Sequence, residues 1–157
     1  MRLEYFEMID RIVALDVAER TIRTEATIPA ESPIFEGHFP GYPLMPGVLL
    51  TEAMAQTSGW LIIATQKFER MPFLASLREA KFRNFVRPKD HLSLQATLTH
   101  DGSGFMVAEA KGEVNGKEVC GATITFRLVP FPTAEFGDFM KTFSKKIGFP
   151  LEAVLNG

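Results

Sequence analysis

The chain has 157 residues, of which 46% are hydrophobic and 23% charged, and its formal net charge is −2. This length fits one domain, and the composition is that of a globular protein rather than a disordered one. The slight negative charge argues against a nucleic-acid-binding protein, which usually carries a basic face. A single cysteine, Cys120, excludes an intramolecular disulfide and indicates a reducing, cytoplasmic environment.

The N-terminal third predicts two strands. The opening segment, MRLEYFEMIDRIVAL, has acidic residues where an export signal needs an unbroken apolar core, so we expect no signal peptide. Strands are expected at 11–15 and 21–28, and Pro29 ends the second of them.

A stiff loop and a long apolar helix come next. Segment 36–47 is rich in proline and glycine, which predicts a sharply turned loop. From Val48 to about Lys67 apolar residues occupy every face, a pattern that predicts a helix buried on all sides. We do not expect a membrane span over 44–64, because polar and helix-breaking residues interrupt it: Pro46, Gly47, Glu52, Gln56 and Gly59.

The third part of the chain, 73–129, is rich in strand signals. Apolar and polar residues alternate over 92–98 and again over 120–128, which indicates antiparallel strands with one buried face. Asn115-Gly116 predicts a tight hairpin, and 101–104 predicts another turn. The sum is an α+β fold in which one buried helix packs on an antiparallel sheet of about five to seven strands.

The C-terminal tail predicts an amphipathic helix outside this domain. Thr133 is placed to cap the helix, and Gly148 and Pro150 are placed to stop it. We therefore divide the chain into a domain at 1–130 and a helical extension at 131–157. We expect the extension to pack on its own domain or on a sister subunit, with a lid or a membrane-surface role as the alternative. Its apolar residues recur at helical spacing: Phe136, Phe139, Met140, Phe143 and Ile147.

Four residues together suggest acid–base chemistry. Glu52 is a carboxylate inside an apolar helix, where it is costly unless paired, and Gln56 lies one turn later on the same face. His38 sits in the stiff loop that leads into this helix, and histidine and carboxylate side chains are common general acids and bases. Gly47 lies at the expected start of the helix, where an unpaired backbone N–H can stabilise a developing oxyanion.

Residues 37–56, GHFPGYPLMPGVLLTEAMAQ, closely resemble the signature of the (3R)-hydroxyacyl-acyl-carrier-protein dehydratases of the FabZ type, in the FabA/FabZ family. Segments 80–83 and 86–90 resemble a second motif of that family, although Lys89 stands where a glycine is usual. The resemblance extends over roughly residues 5–130, and it implies no role for the longer tail.

The resemblance implies a hot-dog fold, in which a curled antiparallel sheet wraps around one long central helix. It also implies a homodimer, commonly assembled into a hexamer of three dimers, in which each site combines the histidine of one subunit with the glutamate of the other. His38 would be the base and Gly47 the donor to the thioester oxygen. Glu52 would protonate or orient the leaving hydroxyl and Gln56 would hold it, with neither a metal nor an organic cofactor.

The resemblance further implies acyl carrier protein as a partner. We expect the basic stretch to dock this acidic protein, the alternative being an ordinary solvated strand edge. Its residues are Arg78, Lys81, Arg83, Arg87 and Lys89. A hot-dog thioesterase or acyl-CoA hydratase is the nearest alternative function, since a fold does not fix an activity. A non-catalytic protein that binds acyl chains or acyl carriers is the other.

Overall fold

The computed structural model describes residues 1–157 and contains six strands, four α-helices and a short 3₁₀ turn at Leu3–Tyr5. The strands are β1 (Arg11–Asp16), β2 (Thr21–Thr27), β3 (Arg70–Phe82), β4 (His91–Gly102), β5 (Phe105–Val114) and β6 (Lys117–Pro130). The helices are α1 (Pro33–Gly37), α2 (Gly47–Thr65), α3 (Ala134–Lys146) and α4 (Leu151–Asn156). No helix combines the length and the apolar character needed to cross a bilayer.

All six strands form one antiparallel sheet in the order β1-β2-β4-β5-β6-β3, with α2 packed on it. The α+β hot-dog prediction and the expected number of strands are therefore confirmed. The alternation predicted for β4 is also confirmed, since every second residue from Leu92 to Leu98 is buried. The hairpin at Asn115-Gly116 forms as expected, with φ values of 52° and 76° that suit a type I′ turn.

The prediction that α2 is buried on all sides is correct for only part of the helix. Its second half, Thr57 to Ala64, is wholly buried, but Val48 is 76% exposed and Glu52 and Gln56 are half-buried. The sheet contacts α2 through β2, β3, β4, β5 and β6, and these contacts leave the Val48 side chain in the first turn open to solvent. The hydrophobic pattern could not reveal this, because it reports the side chains and not the layer that meets them.

Strand β3 is an edge strand that differs from the rest of the sheet. It is 13 residues long and pairs with β6 alone, and almost all of its residues are exposed. Register shifts interrupt the pairing between Leu74 and Ser76 and again between Arg78 and Lys81. These irregularities explain why the sequence of β3 lacks the clean alternation of its neighbours.

The C-terminal extension folds as predicted and packs on its own chain. The Thr133 Oγ1 accepts a hydrogen bond of 3.1 Å from the Phe136 N–H at the start of α3, and Gly148 has a φ of 76° just after the helix. The Phe143 ring stacks on Trp60 of α2 with 6.1 Å between ring centroids. The second tail helix, α4, was not predicted from the sequence.

Candidate active site

His38 lies at the C-terminal end of α1, in the loop that leads to α2. The backbone N–H of His38 donates to the Ile34 carbonyl at 3.0 Å, so the residue ends the helix. Its Nδ1 lies 2.9 Å from the carbonyl oxygen of Leu44. Because a carbonyl oxygen only accepts, Nδ1 must carry the proton in this bond. The neutral imidazole is thereby fixed in the tautomer whose Nε2 has a free lone pair.

The loop around His38 is held by its own backbone. The Leu44 N–H donates to the His38 carbonyl at 2.9 Å, while Phe39 and Tyr42 exchange two backbone hydrogen bonds of 3.0 and 2.9 Å. Gly41 has a φ of 73°, in the left-handed region that glycine tolerates best. The His38–Phe39 peptide bond is cis, and the two rings stack with their centroids 4.1 Å apart. The Phe39 ring thus covers one face of the imidazole, while the Leu44 carbonyl holds its Nδ1.

Gly47 is the first residue of α2, as its predicted role requires. The N–H groups of Leu49 and Leu50 both donate to the Pro46 carbonyl, which leaves the Gly47 N–H as an unpaired donor at the helix start. A Cβ at this position would lie 3.3 Å from two carbons of the Phe82 ring on β3. A larger residue at this position would therefore require a small shift of the Phe82 ring.

Glu52 and Gln56 make the contact that their spacing predicted. The Gln56 Nε2 donates to the Glu52 Oε1 at 2.9 Å and to the Phe6 carbonyl at 2.6 Å, and the Gln56 Oε1 accepts from the Met8 N–H at 3.2 Å. Gln56 thereby ties the N-terminal segment to α2 while it holds the carboxylate. Glu52 is half-buried rather than fully buried as expected, because it opens into a pocket.

This pocket has a volume of about 490 Å³, and apolar side chains make up most of its wall. Glu52 and Gln56 contribute polar groups to it, together with Glu7, which is paired with Lys146 at 3.4 Å. The remaining lining comes from the N-terminal segment, α2, the start of β3, β6 and α3: Tyr5, Phe6, Ala55, Gly59, Trp60, Ile63, Met71, Pro72, Leu74, Phe126, Phe139, Met140 and Phe143.

Within one chain the predicted site residues are only partly brought together. Glu52 and Gln56 share the pocket, but His38 is not among its lining residues. Sequence reasoning missed the contributions of the N-terminal segment and of α3 to the wall. The helical spacing of Phe139, Met140 and Phe143 was a usable signal for an apolar face, but it did not say what that face would contact.

The five basic residues do not form one continuous positive surface. Arg83 pairs with Glu118 at 3.1 Å, and Lys81 lines a groove on the outer face of the sheet that it shares with three glutamates. Arg87 instead donates to the Tyr42 hydroxyl at 3.3 Å, next to the His38 loop. The basic side chains therefore divide between the sheet face and that loop, because β3 ends at Phe82 and the chain turns away.

Lys89, at the position where the family usually has glycine, adopts a φ of 72°. This left-handed conformation is one that glycine adopts at little cost, so the backbone keeps the turn although the side chain differs.

Cys120 is buried in the core, and burial raises the pKa of its thiol to about 11. A buried thiol of this kind is inert, so Cys120 is not a candidate nucleophile.

Comparison with known proteins agrees with this geometry. The FabA-like domain family matches residues 2–123. The 3-hydroxyacyl-[acyl-carrier-protein] dehydratase FabZ of Streptococcus pneumoniae strain Hungary19A-6 is 39% identical over 122 residues, which cover 77% of this chain and 86% of the relative. The FabZ of Streptococcus pneumoniae serotype 4 strain TIGR4 is 38% identical over the same lengths.

Solved structures resemble the chain in fold. Conserved protein PA5202 of Pseudomonas aeruginosa superposes with a TM-score of 0.63 at 20% identity, over 80% of this chain and 93% of that one. A hypothetical thioesterase of Streptococcus pneumoniae TIGR4, crystallised with coenzyme A, gives a TM-score of 0.59 at 14% identity, over 78% and 88%. These similarities establish the hot-dog fold alone. The extent of the family match and the identity to the FabZ proteins establish more: the chain belongs to the FabA-like domain family.

Proposed function

We propose that the protein dehydrates (3R)-3-hydroxyacyl-acyl-carrier-protein to trans-2-enoyl-acyl-carrier-protein in the synthesis of fatty acids or related lipids. The observation that carries the proposal is the Glu52 carboxyl group, held by Gln56 at 2.9 Å in an apolar pocket. The identity to proteins named as FabZ dehydratases supports the same reaction. Both the pocket and the family favour a substrate with an apolar chain.

His38 acts as the base in this proposal. Its Nε2, free because Nδ1 donates to Leu44, takes the C2 proton of the substrate. The electron pair of the broken C–H bond forms the C2–C3 double bond, and charge accumulates on the thioester oxygen on the way. The unpaired N–H of Gly47 donates to that oxygen, at a helix start that favours negative charge.

Glu52 completes the elimination as the general acid. Its protonated carboxyl group gives its proton to the C3 hydroxyl, the C3–O bond breaks, and water leaves. At that point His38 is protonated and Glu52 is ionised, so one proton must return from the imidazole to the carboxylate before the next turnover. Gln56 keeps Glu52 oriented throughout. The step consumes no oxidant or reductant, and these groups carry it without a metal or an organic cofactor.

A homodimer supplies the part of the site that one chain lacks. The Glu52 pocket is not lined by His38 of the same chain, which favours completion by His38 of the partner subunit. The exposed edge strand β3 carries Phe73, Leu74, Leu77 and Phe82, each 39–54% exposed. An unpaired edge with such an apolar surface is typical of an interface. A hexamer of three dimers is the larger assembly that family resemblance suggests.

Acyl carrier protein is the proposed carrier of the substrate. The single cysteine of the chain fits the reducing conditions of the cytoplasm, and we propose that the two proteins meet there. Arg87, beside the His38 loop, and the exposed Arg78 and Lys89 are the best candidates for docking it. Arg87→Glu is expected to raise KM for carrier-bound substrate and not for the same acyl group on pantetheine. Equal KM values for the variant and the wild type on both substrates would remove Arg87 from the docking surface.

The direct test is a dehydration assay with 3-hydroxyacyl thioesters of 4 to 16 carbons on acyl carrier protein, with His38→Ala as the control. We expect formation of the enoyl thioester by the wild type and a loss of about 10²–10⁴-fold in the variant. Release of free thiol would identify a thioesterase instead. Binding without any turnover would identify a non-catalytic acyl-binding protein.

A further inference from the structure

The pocket at Glu52 continues along one face of α2. Glu52, Gln56, Gly59, Trp60 and Ile63 all line it, and their spacing of three, four or seven residues places them on the same side of the helix. Eleven residues separate the first from the last, a distance of about 16 Å at the α-helical rise. The pocket is therefore an elongated groove with Glu52 at one end and mostly apolar side chains along the rest, where Glu7 is paired with Lys146.

Helix α3 meets this groove at its far end. Phe143 stacks on Trp60 with ring centroids 6.1 Å apart and an angle of 15° between the rings. Trp60 lies eight residues beyond Glu52, or about 12 Å along the axis of α2. Phe139 and Met140 line the same pocket from the preceding turn of α3. Phe143 thus contacts the groove at Trp60, where only the distal carbons of an acyl chain would lie, and Met140 and Phe139 lie three and four residues before it on the same face of α3.

The tail that carries α3 is firmly attached to the domain. The Ile12 N–H on β1 donates to the Ile147 carbonyl at 2.8 Å, and Ile147, Phe149 and Leu151 are buried in the core. The Phe149 ring packs edge-on against Phe68, with centroids 5.3 Å apart. Helix α3 is thus a fixed wall of the groove.

This wall lies outside the region that the family shares. The match to the FabA-like domain ends at residue 123, whereas α3 begins at Ala134. The α2 side of the groove, from Glu52 to Ile63, therefore lies within the family match, whereas α3, which adds Phe139, Met140 and Phe143 to the wall, lies beyond it. We infer that α3 limits the length of the acyl chain and that Met140, half-buried in the wall, determines this limit. The inference rests on the proposed function.

Met140→Ala and Met140→Trp test the inference in opposite directions. The measured quantity is the ratio of kcat/KM for a sixteen-carbon to that for an eight-carbon 3-hydroxyacyl thioester. A change of one methylene in a hydrophobic pocket alters such preferences by roughly 10- to 200-fold. We expect the ratio to rise about tenfold or more in Met140→Ala and to fall by a similar factor in Met140→Trp. Circular dichroism and the midpoint of urea denaturation, both close to the wild-type values, show that each variant is folded.

Lys145→Ala is the matched control on the same helix. Lys145 is exposed and does not line the groove, so its removal should leave the ratio within twofold of the wild type. Unchanged ratios in both Met140 variants would overturn the inference while leaving the dehydratase proposal intact.

A second readout separates the two proposals. If the wild type dehydrates no substrate, the proposed function fails, and the Kd values of eight- and sixteen-carbon enoyl-pantetheines then decide the inference. A Kd ratio that shifts in opposite directions in the two Met140 variants supports α3 as the limit of the groove. A Kd ratio that does not shift overturns it.

Discussion

The two halves of α2 are both largely apolar, but they differ in burial and in the chemical groups that they present. In the first half, Gly47 offers a free amide and Glu52 and Gln56 face the pocket, while Val48 is exposed. In the second half, from Thr57 to Ala64, every residue is buried and none is ionisable. Burial on the sheet holds the second half in place, and this fixed position is what allows the first half to present polar groups at defined distances.

The largest expected effect comes from a change in the first half of α2 that leaves its second half intact. Glu52→Gln keeps the size and the hydrogen-bonding capacity of the side chain but removes the acidic proton. We expect kcat to fall by about 10²–10⁴-fold, with the free energy of unfolding changed by no more than about 0.5 kcal/mol. Kinetics and chemical denaturation measure the two quantities. Glu69→Gln, at an exposed position after α2, is the control and should change neither. A Glu52 variant with nearly full activity would exclude it as the acid.

Leu61→Ala disturbs the second half of α2 and leaves its first half intact. Leu61 is 0% exposed in the buried half, and truncation of a buried leucine typically costs about 2–5 kcal/mol of stability. We expect that loss in urea denaturation, while kcat measured well below the melting temperature stays near the wild-type value. A large fall in kcat without loss of stability would show that the two halves are not separable in this way.

Thr57 tests whether a polar group in the buried half serves stability alone. Its hydroxyl donates to the Ala53 carbonyl at 2.9 Å and lies 2.8 Å from the Thr24 hydroxyl, and both threonines are 0% exposed. Thr57→Val leaves the Thr24 hydroxyl unpaired, which should cost about 1–3 kcal/mol. The double variant Thr24→Val/Thr57→Val should recover much of that stability. A double-mutant cycle by denaturation measures the coupling, and additive costs would refute it.

The smallest expected effect comes from Gln56, which lies at the boundary between the two halves of α2. Gln56→Ala removes the donor to Glu52 together with the bonds to Phe6 and Met8. We expect kcat to fall about tenfold, as loss of a hydrogen bond to a charged or reacting group would cause, with a modest loss of stability. Gln66→Ala, at the C-terminal end of the same helix, is the matched control. An activity equal to that of the control would show that Glu52 needs no orienting partner.

Much of the fold was predictable because its signals are local. The Asn115-Gly116 turn, the alternation of β4 and the Thr133 cap of α3 each depend on residues close together in the chain. Strand β3 was harder to define, because its register shifts and exposed edge remove the alternation on which such predictions depend. The basic stretch that begins on β3 was predictable as a local excess of positive charge, but the sequence could not show that Arg83 pairs with Glu118 while Arg87 contacts Tyr42.

The candidate site likewise combines features that the sequence predicts with features that only the tertiary structure shows. The sequence by itself determined the Glu52–Gln56 contact, since an i, i+4 spacing on a helix fixes both side chains on one face. It also determined the stiff loop that carries His38 and the helix start at Gly47. Only the tertiary structure decided that Glu52 opens into a groove without His38 of its own chain, and that α3 forms part of the wall of that groove. Those relations join segments up to about ninety residues apart, and packing between distant segments is a property of the whole fold, which no local pattern encodes.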